Sequence, residues 1–217
     1  MKDRILFVSD FDNTISLKDF YKVVIEKYLL KEGFQEYAKW KQGDYTDFEF
    51  LSWVFRQLDL EERQLREDIL NIPLDPSFKA FVDDLRQHQG EISIVSAGND
   101  YYIKILLQHF HLESIPIYSN SGTFEKGAII MRPHANESFF STRYGIDKAN
   151  VVASLKKAGT LLCYAGDSEP DFEAGKVAAI RFAKGELQTL YRQAGIEFIP
   201  VESYVDIHHY FIKEVWQ

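Results

Sequence analysis

The 217-residue chain is 46% hydrophobic and 15% aromatic and carries a formal charge of -8. That is enough apolar residue for one sizeable core, with no basic stripe to neutralise a nucleic-acid backbone. No stretch approaches the ~20 apolar residues that span a bilayer, and the apolar run near the amino terminus is too short for a secretory signal, so a cytoplasmic protein with no nucleic-acid or membrane partner is expected.

Residues 5–8 (ILFV) have the pattern of a strand buried on both faces, and the strand runs into DFDNTIS. Side chains two apart point to the same side of an extended backbone, which puts Asp10 and Asp12 toward one small volume. Like charges that close raise each other's proton affinity unless a cation sits between them. On these residues alone two readings stand: a divalent-metal site in which one carboxylate can also act as nucleophile, or a polar turn after a strand. Ser16 is placed to cap a helix carrying Leu17, Phe20, Tyr21, Val24, Ile25, Tyr28 and Leu29, with Gly33 as its stop. Further helices are expected over 34–42, over 47–58 behind Thr46, and over 60–71 ahead of Pro73. Consecutive helices after one strand read as an inserted helical module, residues 17–75.

Alternation resumes at Asp75-Pro76, which opens a helix to residue 89. A strand over 92–95, a tight turn at Ser96-Ala97-Gly98, a helix over 100–110 and a short strand over 116–118 follow. Residues 122–132 read as a β-hairpin turning at Lys126-Gly127, and 133–145 as loop. Lys148 begins a helix; a strand over 160–165, holding the single cysteine Cys163 as a buried spectator thiol, ends in GDSEPD. A helix over 171–177, a strand over 179–183, a helix over 186–194, a strand over 197–201 and a helix over 205–215 complete the chain. This is an α/β chain with a doubly wound parallel sheet, its core made of residues 1–16 and 76–217 around the α-helical insertion.

Ligands of open α/β sheets bind where loops leave the carboxyl ends of the strands. Four groups qualify: Asp10 with Asp12, Ser96 with Ala97-Gly98, Lys148, and Asp167 with Asp171. Together they supply two acidic loops for a metal, a hydroxyl with a glycine-bearing turn for an anion, and one cation, the parts that phosphoryl transfer needs. Separately each has an ordinary reading: Lys148 as a solvated helix residue, Asp167 and Asp171 as helix-start acids, Ser96 as a turn residue. The pairs His109/His111 and His208/His209 present no metal-binding face.

In this order, DFDNTIS, IVSAGND, a lysine heading a helix and GDSEPD resemble the motifs of the haloacid dehalogenase superfamily of phosphohydrolases. The helical insertion is similar to the cap of the phosphoserine phosphatase-like branch. SAGND followed by Tyr101 and Tyr102, with GDSEPD, is similar in cadence to the methionine-salvage enol-phosphate phosphatases. The resemblance implies a Rossmann-like core and a Mg²⁺ ion held by Asp10, the Asp12 backbone carbonyl and Asp167. It makes Asp10 the nucleophile and Asp12 the acid and base. Ser96, Ala97 and Gly98 would hold the phosphate with Thr14 beside the nucleophile, although Thr14 can equally cap the turn. Lys148 would offset the shared charge, and Asp171 would orient either Lys148 or a metal-bound water from behind.

The chain departs from that pattern where substrate is read. Asp19 stands where phosphoserine phosphatases meet an amine, yet their carboxylate-binding arginine falls on Trp53, with Arg56 three residues on. Pro170 replaces an asparagine, which argues against phosphoserine, and STRYGIDK lacks the cysteines that precede the lysine in the enol-phosphate enzymes. Phe20, Tyr21, Trp40, Trp53 and Phe55 would suit an apolar or planar leaving group. The expected activity is Mg²⁺-dependent hydrolysis of a small phosphorylated metabolite through an aspartyl-phosphate. A phosphotransferase or mutase on the same phosphoenzyme is the alternative. A phosphorylatable receiver-type signalling domain is the reading from another class, and its short chain without a helical insertion argues against it.

Overall fold

The computed structural model describes residues 4–217; residues 1–3, assigned above to the core, lie outside the described residues. Among the described residues seven strands form one sheet: β1 (Arg4–Ser9), β2 (Glu91–Asn99), β3 (Ile117–Glu125), β4 (Ala128–Arg132), β5 (Thr160–Gly166), β6 (Ile180–Ala183) and β7 (Ile199–Pro200). Their order is β4-β3-β2-β1-β5-β6-β7, with every pairing parallel except the β3–β4 hairpin. The turn at Lys126-Gly127 has positive φ at both residues, the geometry of a two-residue hairpin loop that follows the twist of the strands.

Between β1 and β2 the chain is helical. Helix α1 (Phe20–Val24) widens through a π-type turn (Ile25–Leu29) into α2 (Leu30–Gln42), followed by α3 (Asp47–Arg56) and α4 (Glu62–Leu70). Thr46 caps α3 through a reciprocal pair with Glu49. The segments entering and leaving this stretch lie side by side: Leu17 N donates to Pro73 O and Asp75 N to Ile15 O, both at 2.8 Å, around an isolated bridge between Ser16 and Leu74. The remaining helices are α5 (Phe78–Gln87), α6 (Asp100–His109), α7 (Lys148–Leu155), α8 (Phe172–Val177), α9 (Gly185–Ala194) and α10 (Tyr204–Tyr210).

Alternation along β1 divides the core. Ile5 and Phe7 face one layer, where Phe7 meets Phe81 of α5 at 4.8 Å between centroids and Phe211 beyond α10 at 5.8 Å. Leu6 and Val8 face the other, among Val151 and Val152 of α7 and Ala174 of α8. A strand covered on both faces reads as an unbroken apolar run, which is why residues 5–8 declare it. Among the described residues no helix is long and apolar enough to cross a membrane.

Several local expectations are corrected. Ser16 does not cap a helix; its hydroxyl bonds the Lys18 carbonyl at 3.0 Å, and Asp19 holds the cap position of α1. Gly33 does not end the first helix but lies inside α2, where an added Cβ would come within 2.7 Å of Leu29 Cβ; the break falls at Leu30, whose φ is 45°. The turn expected at Ser96-Ala97-Gly98 is a bulge within β2, because β2 pairs with β3 at Ser96↔Ser119 and next at Asn99↔Asn120, leaving two residues outside the ladder. The strand at 116–118 and the first arm of the hairpin are one strand, β3. Ser77, not Asp75, precedes α5, although Asp75 Oδ1 accepts from the Ser77 amide at 2.8 Å.

Candidate active site

Parallel strands bring the ends of β1, β2 and β5 to one rim. Asp10 follows β1, its amide bonded to Ala165 O of β5 at 2.9 Å. Lys148 opens α7, whose first turn is capped by Asp147. Side chains at a helix start lean back past the amino terminus, and here that direction aims Lys148 at the rim: Nζ donates to Asp10 Oδ1 at 2.5 Å and to Asp171 Oδ1 at 2.7 Å. Lys148 is 4% exposed and Asp171 fully buried. Asp171 is also saturated, its Oδ1 accepting from the Tyr164 hydroxyl at 2.6 Å and its Oδ2 from the amides of Asp167 and Ser168 at 3.0 and 3.2 Å.

On the other side of Asp10 the bulge of β2 presents Ser96, Ala97 and Gly98. The Gly98 amide donates to Ser96 Oγ at 3.0 Å, and Asn120 Nδ2 holds the Ala97 carbonyl at 2.8 Å and the Tyr144 carbonyl at 2.8 Å. Asp12 accepts from the Phe20 amide at 3.3 Å and from the Tyr102 hydroxyl.

A cavity of about 1020 Å³ opens over this rim. Asp10, Asp12, Ser96, Ala97, Gly98, Lys148 and Asp167 all line it. Thr14 and Asp171 stand behind the wall, the Thr14 hydroxyl 3.5 Å from Asp10 Oδ2, a long contact for a hydroxyl donor. On the helical side Asp19, Tyr21, Trp40 and Phe55 line it, whereas Phe20, Trp53 and Arg56 do not. Phe20 stacks on Phe55 at 5.1 Å, Trp53 packs half-buried against the core, and Arg56 is exposed. Asp19 is already engaged, with Oδ2 accepting from Asn13 at 2.8 Å and Lys22 at 2.5 Å.

The electrostatics follow from crowding charge into a dry rim. Burial, then the neighbouring Asp171, raises the proton affinity of Asp10 well above the usual carboxylate range against the pull of Lys148. Burial and Asp19 raise Asp12 to about 7 while the Tyr102 hydroxyl opposes. Burial and Asp171 do the same to Asp167, also to about 7. For Lys148, burial works against the ammonium, but Asp10 and Asp171 outweigh it and leave its pKa above the ordinary lysine value. Four carboxylates face one buried ammonium, so the rim lacks positive charge.

That deficit is the test of whether the site fits a metal. Asp10, Asp167 and Asp171 each offer an oxygen, all within 4.8 Å of one another. Asp171 has spent both of its oxygens on donors, whereas Asp167 accepts only from the Ser168 hydroxyl at 3.1 Å. Asp167, and Asp10 through Oδ2, whose one donor is the distant Thr14 hydroxyl at 3.5 Å, are oxygens that could hold a cation, and hard oxygen donors suit Mg²⁺ rather than a soft metal.

Sequence reasoning gave no role to Tyr164 or Asn120, nor to Tyr102 beyond its place in a motif, and it passed over Tyr37, which lines the cavity. Tyr164 and Asn120 sit within strands, where the pattern reads only burial. Asn120 gave no signal, since it lies in the polar stretch SNSG between the two expected β-segments.

Comparison with known proteins finds phosphatases by sequence and by fold. The model of the family described as "Putative Phosphatase" matches residues 5–179. A 2-hydroxy-3-keto-5-methylthiopentenyl-1-phosphate phosphatase of Exiguobacterium sibiricum is 28% identical over 207 residues, 94% of each chain. The phosphatase of the same name from Bacillus pumilus is 26% identical over 215 residues, covering 96% of this chain and 93% of its own. Among solved structures, a phosphoserine phosphatase in apo form superposes with a TM-score of 0.70 at 14% identity, over 98% of this chain and 99% of that one. A phospho-aspartyl intermediate analogue of phosphoserine phosphatase gives 0.69 at 15% identity, over 96% and 99%. The chain thus belongs to the "Putative Phosphatase" family and has the haloacid dehalogenase phosphatase fold.

Proposed function

We propose that this phosphatase hydrolyses a small phosphomonoester in two steps through Asp10. The Asp10 carboxylate attacks phosphorus, the bond from phosphorus to the leaving oxygen breaks, and Asp12 gives that oxygen its proton. Asp12, now ionised, takes a proton from water, whose oxygen attacks the phosphorus of the aspartyl-phosphate. Phosphate leaves and the Asp10 carboxylate is restored. A pKa of about 7 suits Asp12 to both tasks. Ser96 and the amides of the β2 bulge are assigned to the phosphate oxygens, and Lys148, braced by Asp171, to charge that builds up around Asp10. Asp10, Asp167 and the Asp12 carbonyl would hold Mg²⁺, which supplies Lewis-acid polarisation of the phosphate and neutralises the acidic rim.

The helical segment, residues 17–75, is assigned to a cap that encloses the leaving group. Its wall of Tyr21, Tyr37, Trp40, Leu51 and Phe55 favours an apolar or planar group. Together with the substrate of the named relatives, that wall points to 2-hydroxy-3-keto-5-methylthiopentenyl-1-phosphate. Phosphoserine is less favoured, because Asp19, the acid at the amine-reading position, is already paired.

The observation that carries the reading is the meeting of Asp10, Asp12, Ser96, Lys148 and Asp167, from four stretches of chain, at one cavity. Asp10→Asn tests it. Turnover of p-nitrophenyl phosphate should fall by roughly a thousandfold or more while the circular dichroism spectrum and melting cooperativity stay as in the wild type. Retained turnover would overturn the assignment. Free phosphate and alcohol, in equal yield, should be the only products in the presence of a competing glycol; a phosphorylated glycol would favour phosphotransfer instead.

A further inference from the structure

For Asp12 to act as acid and then as base its carboxyl must hold one orientation, and the last torsion of an aspartate is broad and roughly two-fold. Two donors restrain it from opposite ends: the Phe20 amide reaches Oδ1 at 3.3 Å, and the Tyr102 hydroxyl donates to Oδ2. The Tyr102 ring is 1% exposed and lies against Phe11 and Phe20, with centroids 5.9 and 4.8 Å away, so the phenol cannot swing aside without disturbing the core. Gly98 opens the passage between them. A Cβ there would sit 2.0 Å from the Tyr102 hydroxyl and 3.2 Å from Asp12 Oδ2.

We propose that Tyr102 is a positioning residue for leaving-group protonation, fixing the Asp12 carboxyl through a contact that glycine at position 98 makes room for. The consequence is selectivity by leaving group: esters whose departing oxygen needs a proton depend on Tyr102, and esters that expel a stable anion do not. This rests on the reading of Asp12 as the acid. It goes beyond that reading because the group that aims the acid comes from α6, a separate element with no carboxylate at the rim.

Phenyl phosphate and p-nitrophenyl phosphate, alike in shape, separate the cases when kcat/KM is measured, since kcat/KM reports the steps through leaving-group departure. Tyr102→Phe, which keeps the ring, should lose roughly 10- to 100-fold on phenyl phosphate and less than about threefold on p-nitrophenyl phosphate, whose departure needs little acid help. Asp12→Asn is the reference and should be selective in the same sense, by more. Equal losses on both esters in Tyr102→Phe, or no loss on either, would overturn the proposal while leaving Asp12 as the acid. An Asp12→Asn variant without selectivity would instead remove the acid assignment, and the proposal with it.

Discussion

Lys148 and Lys41 line the same cavity from opposite sides, and they are held in different ways. Lys148 is clamped between two buried carboxylates at 2.5 and 2.7 Å. Lys41, exposed on α2, rests over the Trp40 ring 4.0 Å from its centroid. The contrast extends to their surroundings. At the rim of the sheet Lys148 and Asp171 answer to directed partners in a dry setting, where losing one partner strands the others. On the helical side Tyr21, Tyr37, Trp40 and Phe50 meet ring to ring, with Trp40 and Phe50 stacked at 4.5 Å and 5°, contacts that tolerate small shifts because they scale with area rather than direction. On the proposed function, the rim would hold reacting atoms still and the helical wall would fit a shape.

The largest expected effect breaks the rim. Lys148→Met keeps side-chain length but leaves Asp10 and Asp171 buried without their ammonium. Removing one partner of a buried ionic cluster costs about 3–5 kcal/mol, and turnover of p-nitrophenyl phosphate should fall about a thousandfold. Arg143→Met is the matched control. Arg143 pairs with Asp47 at 2.9 Å and Glu169 at 3.0 Å, but its side chain is 55% exposed, and exposed pairs are worth at most about 1 kcal/mol. Chemical denaturation of both variants measures the difference. Similar losses would mean that the rim is no stiffer than the surface.

A second test uses the protons of the rim. Asp12 and Asp167 stand at about 7 in the folded chain against an ordinary value of 3.8, and Asp10 is raised as well. For an acid whose folded pKa lies above the unfolded one, ionisation is disfavoured by folding. The cost is nil below the unfolded pKa, grows as pH rises, and is complete above the folded pKa. The contribution of Asp12 and Asp167 therefore falls between about pH 4 and pH 7. Mg²⁺ bound at Asp10 and Asp167 should offset that loss. Added Mg²⁺ should raise the melting temperature by several degrees near pH 8 and by little near pH 5, where protons compete for the same oxygens. Scanning calorimetry with EDTA and with Mg²⁺ at the two pH values checks it; an equal shift at both would place the ion elsewhere.

How much of this was legible in the sequence follows the same division. Asp10 and Asp12 could be read because spacing two after an apolar run fixes their direction. The sheet could be read because strands and helices alternate with the right periods. Lys148 could be read only through the motif order, since a lysine heading a helix ordinarily points to water. That Asp171 is fully buried depends on the Tyr164 hydroxyl and two amides meeting it, and nothing local announces this. Nor does any residue type announce the positive φ of Leu30, which moves the break in the first helical stretch away from Gly33. The aromatic wall was half legible: the rings were evident, but Trp53 packs against the core and Tyr37 lines the cavity, which helical spacing alone does not decide.

The smallest expected effect lies in that wall and tests the separation of roles most finely. Trp40→Leu removes one ring of the stack without adding charge or touching a directed hydrogen bond. An aromatic pair is worth about 0.5–1.5 kcal/mol beyond its area, so KM for p-nitrophenyl phosphate should rise roughly three- to tenfold with kcat changed by less than about twofold, the mark of lost uniform binding. Inorganic phosphate, which fills only the rim, should inhibit the variant as it does the wild type. The comparison of the two inhibition constants is decisive because phosphate has no leaving group for the wall to recognise. A weakened phosphate constant would mean that the ring stack sets the position of the rim through α1 and the segment that carries Asp12. Shape fitting and charge positioning would then be one mechanism rather than two.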